Sequence, residues 1–213
     1  MAHIVVFGAT GSIGRQIVRE AQARGHEVTA VVRDPAKLGA RPARRQVIRG
    51  DVLNPADVLA AAAGHDAVIS AVGPGPDQDP QMLVEAARSL LDALPRAGVR
   101  RLIVVGGAGS LEVAPGVQLL DTPEFPEEWK PLARAHRDAL AVYRQNEDLE
   151  WTYISPAGFI AAGPRTGHYR TAGDQLLRDS QGKSSITIDD FAIAVIDELE
   201  HPQHVRQRFT AAY

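Results

Sequence analysis

His3-Ile4-Val5-Val6-Phe7-Gly8-Ala9-Thr10-Gly11-Ser12-Ile13-Gly14 is the stretch on which the reading of this chain turns. A short apolar run, 3–7, reaches glycines spaced at 8, 11 and 14, and an amphipathic helical pattern follows at once. Each glycine has its own physical task. Gly8 lets the chain turn sharply out of a strand, Gly11 removes the Cβ that would block bound phosphates, and Gly14 lets the helix approach the sheet closely. The free N–H groups and positive dipole of that helix then face the charge of a dinucleotide pyrophosphate. Glycine spacing alone is common, so the strand before it and the helix after it give the motif its meaning; a tight turn without a ligand is the alternative.

Outward from the motif, Ile13, Ile17, Val18 and Ala21 fall on one helical face, while Arg15, Gln16, Arg19, Glu20 and Arg24 fall on the other. The pattern ends at Gly25, and a second apolar run, 27–32, completes a strand–helix–strand unit. Further apolar runs at 46–48, 67–71, 102–105, 152–154 and 208–211 alternate with helical patterns at 55–63, 80–97, 132–145 and 188–199. Such alternation predicts a doubly wound parallel sheet of Rossmann type, an α/β fold with helices on both faces in three αβα layers. Two proline-rich stretches, 73–79 and 111–129, break the scheme just after expected strand ends, the edge where open α/β sheets hold ligands. The second carries Leu119, Leu120, Phe125 and Trp129 and reads either as the wall of a substrate pocket or as a packed loop.

The 213 residues, 45% of them hydrophobic, suffice for one well-buried core, so a single domain over 1–213 is expected, its substrate pocket built from C-terminal loops. The start lacks a secretory pattern and no run of eighteen apolar residues occurs, so a cytoplasmic protein with no membrane partner is expected. The absence of cysteine excludes disulfides, thiolate nucleophiles and cysteine-based metal sites. A net charge of −3 gives no general attraction to nucleic acid. Arg41, Arg44, Arg45 and Arg49 cluster without an aromatic residue, which reads as solvated surface or as a contribution to the field around a phosphate-bearing cofactor. His201 and His204 flank a proline and lack acidic companions, so no metal site is expected.

NAD-selective folds of this type place a carboxylate at the end of the second strand, where it binds the ribose 2′-hydroxyl. Here Arg33 holds that place. Its fixed, charge-assisted donors suit a 2′-phosphate, which favours NADPH; Asp34, one position later, would favour NADH if it pointed inward instead. Asp51, followed by Val52, could accept from an adenine amino group or cap the next turn. Ala71, Val72 and Gly73 are small enough for a cofactor to cross the sheet edge beside them. The expected cofactor contacts are therefore Gly8, Thr10, Gly11, Ser12, Ile13, Gly14, Arg33, Asp51, Val52, Ala71, Val72 and Gly73.

GATGSIG at 8–14, Arg33, GDV at 50–52 and SAVG at 70–73 together resemble the atypical short-chain dehydrogenase/reductase family. LIVVGGAGS at 102–110, LEWTYISPAGFI at 149–160, RTGHYR at 165–170 and GDQLL at 173–177 narrow the likeness to a bacterial NADH-flavin reductase group related to biliverdin-IX-beta reductase. One departure bears on chemistry. Short-chain dehydrogenases pair a serine with a Tyr-x-x-x-Lys dyad, but the residues four beyond Tyr143, Tyr153 and Tyr169 are Glu147, Ala157 and Gly173, and Tyr213 ends the chain. Reducing a simple carbonyl builds a strongly basic alkoxide that needs a proton. A flavin or quinone delocalises the charge delivered by hydride, so alignment and a dry surface suffice. The missing dyad thus points to a small planar acceptor, and equally permits a dinucleotide-binding regulator resembling NmrA-type sensors that catalyses nothing.

The resemblance places Ser110 where the family serine stands, as a donor to the acceptor; a plain turn serine is the alternative. His136 lies eight residues before Arg144, a spacing similar to that of a histidine in biliverdin-IX-beta reductase, and would orient substrate or relay a proton; a solvated helix face is the bland reading. Phe125, Trp129 and Phe159 are the candidates for the substrate pocket, Phe159 being equally able to fill the core, whereas Trp151 and Tyr153 alternate as buried strand residues do. A homodimer stays open, and a sugar-nucleotide epimerase is a distant third reading because it needs the absent dyad.

Overall fold

β1 (His3–Phe7) forms the pivot of an eight-stranded sheet, paired in parallel with β2 (Glu27–Val32) on one side and β4 (Ala67–Ser70) on the other. The computed structural model describes residues 1–35, 45–75 and 77–213, with only the backbone of Arg45. From β4 the sheet continues in parallel through β5 (Arg101–Val105), β8 (Glu150–Pro156) and β12 (Gln207–Ala212); β3 (Arg45–Arg49) lies outside β2. β10 (Arg170–Ala172) closes the far edge antiparallel to β12, a departure from the all-parallel expectation. Strand order therefore reverses at β1, and every parallel strand ends on the same edge.

Burial on both faces explains why the strands read as continuous apolar runs. Val5 and Phe7 pack toward α2 (Pro55–Ala62), α3 (Met82–Arg96) and α4 (Lys130–Arg144), while Ile4 and Val6 pack toward α1 (Ser12–Ala23) and α5 (Ile188–Glu200). α1 ends as its glycine implies: Gly25 takes φ +87°, with Gly25 N donating to Gln22 O and His26 N to Ala21 O, each at 3.0 Å. Trp151 and Tyr153 are buried.

One side chain on the expected polar face of α1 is misplaced by the sequence reading. Glu20 is 8% exposed, because the segment around Arg165 folds across the helix and donates to it from Nη2 at 2.9 Å, joined by Arg24 Nε at 2.9 Å. Burial opposes its ionisation, but the hydrogen bonds from Arg165 and Arg24 outweigh this and hold the carboxyl below its ordinary range.

The irregular stretches contain short elements that the sequence pattern does not show. β6 (Glu112–Ala114) and β7 (Val117–Gln118) form a small hairpin within 111–129, and β9 (Phe159–Ala161) pairs in parallel with β11 (Ser185–Thr187). Strands of two or three residues are too brief to carry a recognisable alternation. They place 156–160 and 182–185 side by side beyond the end of β8.

Candidate functional site

The glycine motif folds into an uncapped helix start beneath the β1 end. Gly8 adopts φ +77°, and a Cβ there would lie 2.3 Å from Ala71 O. A Cβ on Gly14 would come within 2.1 Å of Gly8 O, so close packing of helix on strand requires that glycine. Gly11 differs from both, since its Cβ would touch only Gly8 O, at 3.4 Å, and otherwise enter open space. The protein's own packing does not demand a glycine at 11, and the space a Cβ would enter is open.

The remaining geometry fits an anionic group. Gly11 is the N-cap of α1, no side chain caps the helix, and its first turn contains no acidic residue. The N–H groups of Ser12, Ile13 and Gly14 are the orphan donors of that turn, before Arg15 N bonds Gly11 O at 3.0 Å. By contrast, Asn54 caps α2 and Thr187 caps α5, each with acidic residues following.

A cavity of ≈ 160 Å³ extends from this cradle along the strand ends. Gly8, Thr10, Gly11, Arg33, Asp51, Val52, Ala71, Val72 and Gly73 line it together, although they come from four separate turns. Ser12, Ile13 and Gly14 stand in the first turn of α1 instead. Arg33 is exposed at the β2 end. Asp51 does cap its turn, Oδ1 accepting from Leu53 N at 3.0 Å while its own N–H donates to Asp57 Oδ2 at 2.9 Å. Arg41 and Arg44, and the side chain of Arg45, lie outside the described residues.

A second, larger cleft of ≈ 620 Å³ opens at the ends of β5 and β8. Phe125, Trp129 and Phe159 all line it, with Leu119, Leu132 and Ile160. Phe159 is 64% and Trp129 57% exposed, so neither fills the core. Phe125 and Trp129 meet edge to face with centroids 6.4 Å apart.

His136 projects from α4 into this cleft, half-buried, with its ring against Gly107. The Tyr153 hydroxyl donates to His136 O at 3.0 Å, and Nδ1 of His136 lies 3.1 Å from the same hydroxyl oxygen. Burial pushes the imidazole down to about 4, so it is neutral near pH 7. A Cβ on Gly106 would lie 1.9 Å from the Tyr153 ring, and one on Gly107 would lie 2.9 Å from His136. The paired glycines therefore make room for these two side chains. Sequence reasoning missed Tyr153 because it reads as core, and its burial does raise the phenol pKa.

Ser110 does not join them. It is 5% exposed, and its Oγ accepts from Arg208 Nη1 at 2.8 Å. Arg208 in turn reaches Asp174 from Nε at 2.6 Å, which makes Ser110 part of a buried ionic network rather than of the cleft lining. The hydroxyl oxygen expected to face an acceptor is thus held by Arg208. His204 likewise serves packing, with Nδ1 2.9 Å from Glu198 Oε2 and its ring stacked on Phe209 at 4.0 Å.

A cradle for phosphate at the reversal of strand order, extended by a cavity over the second and third strand ends, defines a protein that binds a dinucleotide. A family model described as NAD(P)H-binding matches residues 8–202, and the chain belongs to that family. Its cofactor is a nicotinamide dinucleotide, and the resemblance to atypical short-chain dehydrogenases/reductases holds.

Among solved structures, a Burkholderia pseudomallei protein provisionally described as exported is 48% identical, covers 100% of both chains and superposes with a TM-score of 0.92. A Streptococcus pneumoniae protein provisionally described as an NADH-flavin reductase is 37% identical, with a TM-score of 0.88 over 100% of this chain and 99% of the other. The NAD(P)H azoreductase of Xenophilus azovorans is 29% identical over 209 residues, which span 97% of this chain and 66% of that enzyme. No helix among the described residues is long and apolar enough to cross a membrane.

Proposed function

We propose that this protein is an NAD(P)H-dependent oxidoreductase, with NADPH preferred, that passes hydride to a flavin, quinone or similar planar acceptor. The observation that carries this reading is the aromatic cleft of ≈ 620 Å³ at the ends of β5 and β8, next along the sheet from the β4 end that lines the phosphate cradle. A dinucleotide with its pyrophosphate at Gly11 and its 2′-phosphate at Arg33 has its other half directed toward that cleft. When bound, the reduced nicotinamide supplies the hydride. Gly107, Ala108, Pro156 and Ala157 form a largely apolar wall, and Phe125, Trp129 and Phe159 offer faces on which a flat ring stacks. His136 is neutral near pH 7, so in this scheme it orients the acceptor rather than acting as an acid, and the product anion takes its proton from water. The provisional name of the Streptococcus protein and the azo substrate class named for the Xenophilus enzyme both involve conjugated acceptors, which supports the reading. Residues 1–213 act as one unit in this scheme, the C-terminal loops building the acceptor site.

The test is NADPH oxidation by the purified protein with FMN, FAD or a quinone added. Turnover that depends on the acceptor is expected, and tight NADPH binding with no turnover on any of them removes the proposal.

The exposure of Trp129 and Phe159 favours one second reading, a dinucleotide sensor that offers this apolar rim to a protein partner. It requires different affinities for NADP⁺ and NADPH and a partner captured in only one state. Equal affinities with no state-dependent partner exclude it.

A further inference from the structure

The acceptor cleft is electrically lopsided. Arg178 and Lys183 line it from the turn before β11 and Glu124 from the loop before α4, among apolar and aromatic side chains. The cationic wall is a built turn rather than two loose side chains. Asp179 Oδ1 accepts from Gln181 N at 2.8 Å and Lys183 N at 2.9 Å, Gly182 N donates to Asp179 O at 3.0 Å, and Asp179 N donates to Lys183 O at 2.7 Å. Arg178 Nη1 is anchored to Gly182 O at 2.7 Å, which leaves its remaining guanidinium donors for another acceptor. The Lys183 ammonium has no hydrogen-bond or ion-pair partner among the described residues; the Asp179 carboxylate nearby already serves the turn's N–H groups. β11 follows directly, and its pairing with β9 holds this turn beside Phe159, whose N–H donates to Ser184 O at 2.9 Å.

We propose that Arg178 and Lys183 are specificity-determining residues that select planar acceptors bearing an anionic substituent, such as a phosphate or sulfonate, and seat that substituent at the 178–183 turn. The inference rests on the oxidoreductase reading and names the substrate class of that site. Glu124, from a separate loop, repels the same group, so the charges bear on how the acceptor is oriented as well as on which acceptors enter. Two partly exposed cations acting on one anion are worth about a tenfold change in affinity at low salt.

FMN and riboflavin share a ring system and differ in one phosphate, so flavin fluorescence quenching on the protein loaded with NADP⁺ isolates the effect. FMN is expected to bind about tenfold more tightly than riboflavin, with the gap narrowing as salt rises. Lys183→Gln should narrow it by about threefold, and the double variant Arg178→Gln with Lys183→Gln should close it by weakening FMN alone. Lys183 is exposed, so the single variant remains informative if loss of the Arg178 anchor disturbs the turn. Naphthoquinone sulfonate against unsubstituted naphthoquinone, read through protein fluorescence, repeats the comparison on a second ring.

Equal affinities within both pairs, or a gap that survives Lys183→Gln and the double variant, overturn the proposal. Turnover of charged and uncharged acceptors with equal KM would do so while leaving the oxidoreductase reading intact. A charge-dependent gap in binding without turnover of any acceptor would instead support the selectivity and remove the reductase. If none of the four molecules binds, both fall.

Discussion

Tyr153 and His136 are joined by a reciprocal contact: the phenol donates to the histidine's own carbonyl at 3.0 Å, and Nδ1 lies 3.1 Å from the phenol oxygen. With its single proton committed to the carbonyl, the hydroxyl can only accept from the ring, which assigns the Nδ1–H tautomer. Nε2 is then the acceptor nitrogen. It suits a substrate N–H or O–H and does not serve as a proton source.

That neutral ring makes stability depend on pH. The folded-state value of about 4 lies below the ordinary 6.5, so the unfolded chain binds more protons between them, and stability falls as pH drops through that window. The full loss is on the order of 3 kcal/mol. Urea denaturation from pH 7 to about pH 5 should therefore show a steeper decline for the natural protein than for His136→Phe, which keeps a ring against Gly107. Parallel declines would show that His136 is not buried in its neutral form.

Gly11 and Gly14 should separate binding from folding. Gly14→Ala drives a Cβ to 2.1 Å from Gly8 O and should cost about 1–3 kcal/mol of stability, read as a lowered Tm. Gly11→Ala meets its nearest atom at 3.4 Å, so Tm should be nearly unchanged while NADPH affinity falls by tenfold or more, roughly the cost of one to two blocked phosphate contacts. Undiminished binding by a folded Gly11→Ala protein would mean that the phosphates lie elsewhere.

On the proposed reading, Arg33→Asp replaces donors to a 2′-phosphate with a repelling carboxylate that can hold a 2′-hydroxyl. The ratio of NADPH to NADH affinity should fall by about tenfold or more, measured by calorimetry with both nucleotides. An unchanged ratio assigns the selectivity to another side chain.

Ser110→Ala removes the acceptor at 2.8 Å from the buried Arg208 guanidinium. The expected cost is about 1–3 kcal/mol in denaturant unfolding, with kcat/KM for acceptor reduction within about twofold of the natural protein. Loss of turnover without loss of stability would return Ser110 to the reaction centre.

The strand–helix alternation and the three glycines were legible because they are local. A strand buried on both faces must be apolar throughout, as Ile4–Phe7 is, and a sharp turn under a closely packed helix admits only glycine at 8 and 14. Phe125 and Trp129 could be singled out because apolar residues in a proline-rich loop need a surface to cover. Arg178 and Lys183 could not, since nothing in their spacing says which wall they face.

By itself the sequence determined the doubly wound architecture, the glycine turn into α1 and the lack of a tyrosine–lysine dyad, all of which follow from residue type at short range. Only the tertiary structure decided that Ser110 belongs to the Arg208 network, that Glu20 is covered by Arg165, and that His136, which lines the cleft, rests on the buried Tyr153. Those contacts join residues from 17 to 145 positions apart, where partners are chosen by how the layers pack and where each loop crosses the sheet edge.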